Sequence, residues 1–100
     1  MMAEMQAEYR RALPGLVGEI ENSYARLASG AGHAAQLEDL QARVRAMVGA
    51  ARSFGLPAVS EAAGVLETAV GALIAGGGAG PQEVQQLIGE QVEALRRAAA

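Results

Sequence analysis

The sequence predicts an all-α protein, an antiparallel up-and-down four-helix bundle with a short extra N-terminal helix. Three observations predict this fold class. The 100 residues are 51% hydrophobic but only 3% aromatic, and apolar residues recur every three or four positions, as on one face of a helix. Glycine and proline separate the periodic segments, and the separators are short enough to join antiparallel neighbours. A chain of this length supplies one core, so we expect one domain over residues 1–100.

The first two predicted elements lie before residue 34. Apolar residues at helical spacing indicate a short helix over Met2–Ala12, which Pro14 is expected to break or kink because proline has no amide hydrogen to donate. A first bundle helix then continues to the glycine-containing loop Ala28–His33. Its expected core residues are Leu16, Ile20, Tyr24 and Leu27.

Three further helices are predicted after this loop. The second bundle helix ends at Gly55, the residue type expected just after a helix C-terminus, and Pro57 suits the first turn of the next helix. The third ends in the segment Ala75–Gly80, and the fourth opens at Pro81. The core residues expected on these helices are Leu37, Leu40, Val44, Met47, Ala51 and Phe54; Val59, Ala63, Leu66, Val70 and Leu73; and Val84, Leu87, Ile88, Val92 and Leu95.

Charge and composition exclude several classes of function. The net charge of −3 leaves no basic surface for binding nucleic acid. There is no cysteine, so neither a disulfide framework nor a thiolate metal site is available. The apolar runs are shorter than a bilayer span, and the N-terminus lacks the order of a signal peptide. We therefore expect a cytoplasmic protein with no nucleic-acid or membrane partner, and a monomer in preference to a homo-oligomer.

The usual catalytic and cofactor motifs are not found in the sequence. The glycine-rich AGGGAG, Ala75–Gly80, lacks the lysine and the serine or threonine of a phosphate-binding loop and follows a helix, so it is interpreted as a connector. His33 is the single histidine and has no second histidine or cysteine near it, so we expect an exposed loop residue rather than a metal ligand or nucleophile. The sequence predicts no metal, no cofactor and no enzymatic activity.

One flank of the second bundle helix has the character of an interaction surface. Val48 and Gly49 form a small apolar floor between Arg45, one turn before, and Arg52, one turn after; Gln41 lies on the same flank. A glycine inside a helix costs about 1 kcal/mol relative to alanine, so Gly49 needs an explanation. Spacing alone leaves two explanations open. Gly49 permits tight packing within the bundle, or it admits a partner's helix close to the backbone.

The run VRAMVGAARSFGLPAVSEAAGVLE, Val44–Glu67, resembles the signature of histidine-containing phosphotransfer (HPt) domains. In that signature a histidine is followed by a hydrophobic residue, a lysine, a glycine and small residues, then by Phe-Gly-Leu-Pro and a helix ending in Leu-Glu. The matching positions are Met47, Gly49, Ala50, Ala51, Phe54, Gly55, Leu56, Pro57, Leu66 and Glu67. The stretch YRRALPGL and the last helix also fit the family's order of helices. The resemblance implies a four-helix bundle in which Gly49 clears space for a docking receiver domain.

The chain departs from the family pattern at two positions. Arg45 stands where the phosphorylated histidine is expected, and Val48 stands where the nearby lysine is expected. A guanidinium has no neutral nitrogen nucleophile at physiological pH, so Arg45 cannot accept a phosphoryl group. His33, twelve positions upstream, is a poor substitute. The resemblance therefore implies the docking surface of a phosphorelay protein without its chemistry, a pseudo-HPt domain.

We predict from this a non-catalytic signalling module that docks on a response-regulator receiver domain, or on a histidine-kinase domain, and modulates phosphoryl transfer. Its expected partner-binding residues are Gln41, Arg45, Val48, Gly49 and Arg52. Arg45 could pair with the carboxylates of a receiver's acidic pocket. Two alternatives from other classes stay open: a structural subunit that self-associates through the Gly64 and Gly71 face of the third bundle helix, and a working phosphotransferase that uses His33.

Overall fold

Four helices account for the regular structure of residues 2–28, 33–76 and 82–99, which a computed structural model describes. They are α1 Met2–Ala28, α2 His33–Ser53, α3 Pro57–Ala75 and α4 Gln82–Ala99. Over the described ranges, helices that are consecutive in the chain contact each other and α4 contacts α1, whereas the two diagonal pairs do not. This arrangement is a four-helix bundle, and the predicted fold class is confirmed. Of the predicted connections Ala28–His33 and Ala75–Gly80, Ala28, His33 and Ala75 are helix-terminal residues, whereas residues 29–32 and 77–80 lie outside the described residues, as does Pro81.

The expected separate N-terminal helix is instead the first part of α1, which continues through Pro14. A proline in a helix interior costs about 3 kcal/mol, so contacts on its N-terminal side must offset that cost. The Tyr9 ring packs against Phe54 with centroids 5.2 Å apart, and the Gln6 side-chain amide donates to the Phe54 carbonyl at 2.6 Å. Pro14 and Arg10 are exposed, so water can reach the carbonyl of Arg10 that the proline leaves without a partner.

Burial confirms most of the predicted core. The predicted residues that are buried are Ile20, Leu27, Leu37, Leu40, Val44, Met47, Ala51, Val59, Ala63, Leu66, Val70, Leu73, Ile88, Val92 and Leu95. Leu87 is an error of prediction: it is 40% exposed, because it lies about 100° around the helix from the buried Ile88. Leu13 and Val17 join the core unpredicted, since the unbroken α1 keeps them on the same side as Ile20. The side chain of Val84 lies outside the described residues.

The α2–α3 turn sets these two helices side by side. Gly55 has φ +69°, its amide donates to the Arg52 carbonyl at 3.3 Å, and the Leu56 amide donates to the Ala51 carbonyl at 2.9 Å. This pair of bonds is the Schellman arrangement that closes a helix with a left-handed residue. Pro57 follows in the first turn of α3, as expected. The turn therefore places the last residues of α2 next to the first residues of α3.

Replacing Gly55 by alanine should lower the free energy of unfolding by about 1–2 kcal/mol, because an L side chain is strained at positive φ. Urea denaturation followed by circular dichroism measures the change. Gly49→Ala is the matched control: its glycine lies inside α2 with no other group within 4 Å of the added Cβ, so stability should hold or rise. Equal losses for the two variants would contradict the role given to the turn.

The contact between α1 and α4 depends on a glycine. A Cβ added at Gly89 would lie 2.7 Å from the Tyr24 hydroxyl oxygen, so the glycine makes room for the tyrosine. Beside this contact, the Arg96 guanidinium donates two hydrogen bonds to the Glu21 carboxylate. Hydrogen bonding to Arg96 holds the pKa of Glu21 below its ordinary value. These contacts fix α4 against α1, on the opposite side of the bundle from the α2–α3 pair.

By length and composition α3 could cross a membrane, contrary to the expectation from the apolar runs: its mean hydropathy reaches 1.5. The core helix of a bundle meets the same criteria. Here 33% of that apolar stretch is buried, and the buried residues are Val59, Ala63, Leu66, Ala69, Val70 and Leu73. Packing against α2 and α4 therefore accounts for the apolarity of the buried side of α3.

Candidate functional site

The predicted binding residues all lie on α2, and the structure separates them by exposure. Arg45, Gly49 and Arg52 are exposed, Gln41 is half-buried, and Val48 is only 9% exposed. We call the first four the outer face of α2. Their spacing of three or four residues places all four on one side of α2. This side is turned away from the core, and part of it is turned toward α3.

Val48 does not form the exposed apolar floor that the sequence analysis expected. It belongs to the buried core, because it follows Val44 by one turn and precedes Ala51 by three residues, and both of these are fully buried. The position where the family signature has a lysine is thus occupied here by a core residue. The floor of the outer face is the backbone around Gly49.

Gly49 has open space where a side chain would be. A Cβ built on it meets no other group within 4 Å, outside the backbone of its own turn. The first explanation from the sequence, tight packing within the bundle, is therefore wrong. Because no internal contact requires the glycine, its helix-propensity cost of about 1 kcal/mol is unexplained by the fold alone.

Arg45 is held by a residue of α3. Its Nε donates to Oε2 of Glu67 at 3.0 Å, with the arginine side chain 67% exposed and the glutamate 29% exposed. Sequence reasoning did not identify this partner, since the two residues are 22 positions apart and only the register of α2 against α3 brings them together. An ion pair this exposed contributes about 0–1 kcal/mol, so the guanidinium can exchange its partner at small cost.

The other side of α2 is tied to α1. Asp39 accepts hydrogen bonds from Arg43 Nε at 3.0 Å and from the buried Ser23 hydroxyl at 2.9 Å. The bond from Arg43, and after it the bond from Ser23, lowers the pKa of Asp39 below its ordinary value. A Glu19 oxygen lies 3.4 Å from Arg43 as well. Arg43 is thus committed to the α1–α2 interface, whereas Arg45 and Arg52 face outward.

His33 is the first residue of α2 and not a loop residue as expected. Its side chain lies outside the described residues. Twelve residues along one helix separate it from Arg45, a rise of about 18 Å, so it is remote from the outer face of α2. Within residues 2–28, 33–76 and 82–99, no group of three or more histidine, aspartate or glutamate side chains could hold a metal ion.

Four packed helices, with the exposed Gly49 on the outer face of α2, define the chain as a four-helix bundle protein. The family model of the Hpt domain matches residues 4–98, nearly the whole chain, and the protein belongs to the Hpt domain family. Hpt domains are phosphotransfer modules of two-component phosphorelays, and they interact with receiver domains and kinases. Searches among curated proteins and among solved structures found no significant match.

Proposed function

We propose that this Hpt domain is non-catalytic: it docks through the outer face of α2 on a receiver domain and modulates phosphoryl transfer without accepting a phosphoryl group. The observation that carries the proposal is the exposed Arg45 at the position of the family's phosphorylated histidine, beside the open backbone of Gly49. The surface that would present an imidazole to a partner presents a fixed positive charge instead.

The chemistry of the guanidinium supports a binding role. Phosphoryl transfer from a receiver's phosphoaspartate needs a nitrogen lone pair to attack phosphorus, and the protonated guanidinium offers none. It can donate bidentate hydrogen bonds to carboxylates, which line a receiver's acidic pocket. In that pocket Arg45 would occupy the place of an incoming histidine and exclude a competent phosphodonor or acceptor.

Exchange of partners at Arg45 is energetically reasonable. Leaving Glu67 costs about 0.2–1 kcal/mol because the pair is exposed. A charged hydrogen bond in a desolvated acidic pocket contributes about 1.5–3 kcal/mol. The difference favours the receiver, whose clustered carboxylates outnumber the single one of Glu67. A histidine-kinase domain is the second partner to test, because Hpt domains interact with kinases too.

Two substitutions should change receiver affinity in opposite directions. Arg45→Ala should weaken binding about tenfold to a hundredfold, because it removes the charged contact. Glu67→Gln should strengthen binding up to about fivefold, because it releases Arg45 from its internal partner. Isothermal titration calorimetry against a panel of receiver domains measures both effects, with a histidine-kinase domain as an additional titrant.

The double variant Arg45→Ala, Glu67→Gln separates release of Arg45 from a general change of surface charge. If Glu67 acts only through Arg45, its substitution should have no further effect once Arg45 is absent. Arg97→Ala, at an exposed arginine on α4, is the control for loss of one positive charge elsewhere. Equal weakening by Arg97→Ala and Arg45→Ala would contradict docking through the outer face of α2.

A further inference from the structure

The outer side of α3 carries few charges. Glu61 and Glu67 are its only charged residues between Pro57 and Ala75, and Glu67 is paired with Arg45. Its other exposed or half-buried residues on this side are Gly64, Val65, Thr68, Gly71, Ala72 and Ala75. Val65 is 43% exposed, one of the large apolar residues of the described chain that remain at the surface.

A groove of about 530 Å³ runs between α2 and α3 beside this surface. Arg52 lines its α2 wall, and Glu61 lines its α3 wall. The other residues that line it are Ala51, Gly55, Leu56, Pro57, Ser60, Gly64, Val65 and Thr68, most of which are apolar or glycine. No ion pair joins Arg52 or Glu61 to another described residue. Two opposite charges therefore border one apolar groove without contacting each other or any other charge in the described part of the chain.

We propose that this groove is the interface of a weak symmetric homodimer. A patch that carries both signs of charge on opposite walls is complementary to itself under a two-fold rotation. A two-fold axis that lies in the interface and runs along the groove lays the α3 wall of one copy over the α2 wall of the other. Arg52 of each copy then meets Glu61 of the other, and two ion pairs form from charges that are unpaired in the monomer.

The apolar residues of the groove also favour a second copy of this chain as its occupant. Val65 is covered when a second copy lies across the groove, and Gly64, which has nothing within 4 Å of an added Cβ, allows the second backbone to approach. The sequence favours a monomer and keeps self-association through the Gly64 and Gly71 face as an alternative. The pairing states of Arg52 and Glu61 cannot be derived from spacing. Their position on facing walls is a property of the folded chain alone.

Arg52 belongs both to this groove and to the outer face of α2, so the dimer and the docked receiver exclude each other. Self-association would then limit the amount of chain free to bind a partner. The dimer does not depend on the proposed function, since it is measured on the purified chain without any partner. A failure of either proposal can therefore be recognised separately.

Sedimentation velocity over a wide concentration range tests the dimer. The wild-type mass should rise from 10.2 kDa toward twice that value, and the rise should weaken at high salt because exposed ion pairs are screened. Arg52→Glu and Glu61→Arg should each keep the chain monomeric by placing like charges opposite each other. The double variant, with the two charges exchanged, should associate again.

Circular dichroism establishes that each variant is folded, and Arg97→Glu is the control for a charge reversal outside the groove. It should associate as the wild type does. The proposal is overturned by a wild type that stays at 10.2 kDa throughout, by single reversals that leave association unchanged, or by a double variant that remains monomeric.

Discussion

Arg45→His should enable this chain to accept a phosphoryl group, which we expect the wild type not to do. The substitution places an imidazole on the exposed side of α2, where the family presents its histidine and where the side chain is 67% exposed to a partner. The imidazole lone pair can attack the phosphorus of a receiver's phosphoaspartate, whose carboxylate leaves as the P–N bond forms. The chain is incubated with ATP, a kinase and a receiver, and the acid-labile phosphate on it is then measured. This phosphate should be readily measurable on the variant and absent from the wild type.

His33→Ala and wild type are the controls for this labelling experiment. Both should stay unlabelled, because the fixed charge of Arg45 cannot react and His33 is about 18 Å away along α2. Label on the wild type that disappears in His33→Ala would show a working phosphotransferase and end the non-catalytic proposal. An unlabelled Arg45→His variant, beside a labelled Hpt domain that has its histidine, would contradict the placement of the docking surface.

Gly49→Leu should abolish receiver binding while it leaves the bundle as stable as before or more so. The added side chain has free space in the isolated chain, where an added Cβ meets no other group within 4 Å. Leucine is a better helix former than glycine, so the free energy of unfolding should rise by about 0.5–1 kcal/mol. The same side chain projects into the space a docking partner needs, and we expect affinity to fall at least about tenfold.

Gly15→Leu provides the matched control on α1. Gly15 is also exposed and also has nothing within 4 Å of an added Cβ. It should gain similar stability and leave receiver binding unchanged, because it lies on a different helix. Thermal melts and calorimetric titrations of the two variants give the comparison. If Gly49→Leu binds as tightly as Gly15→Leu does, the open backbone at Gly49 is not part of the docking surface.

Local chemistry in the sequence was sufficient to predict the helices and most of the core. Helical spacing of apolar residues predicted the buried seam of α2, from Leu37 through Ala51, and the Gly55 and Pro57 pair predicted the turn into α3. These features are local, since a glycine at positive φ and a three-or-four spacing act over a few residues. The family motif is likewise a continuous run, and the match over residues 4–98 confirms the family that it indicated.

Tertiary contacts determine the structural features that local sequence patterns did not predict. Pro14 stays within α1 because Tyr9 and Gln6 on its N-terminal side are anchored to Phe54, 45 or more positions away. Val48, predicted at the surface, is buried in the same core cluster as Val44 and Ala51, one turn to either side of it on α2.

Arg45 pairs with Glu67, and Arg52 and Glu61 line one groove with no ion pair to any described residue, because the register of α2 against α3 sets which charges meet. That register depends on the packing of many side chains at once, whereas the identity of each charged residue can be read directly from the sequence. The sequence therefore identified Arg45 as a departure from the family motif and Gly49 as a helix-interior glycine that needs an explanation. The folded bundle decided that Gly49 is open, that Arg45 has an exchangeable partner, and that the two unpaired charges share one groove.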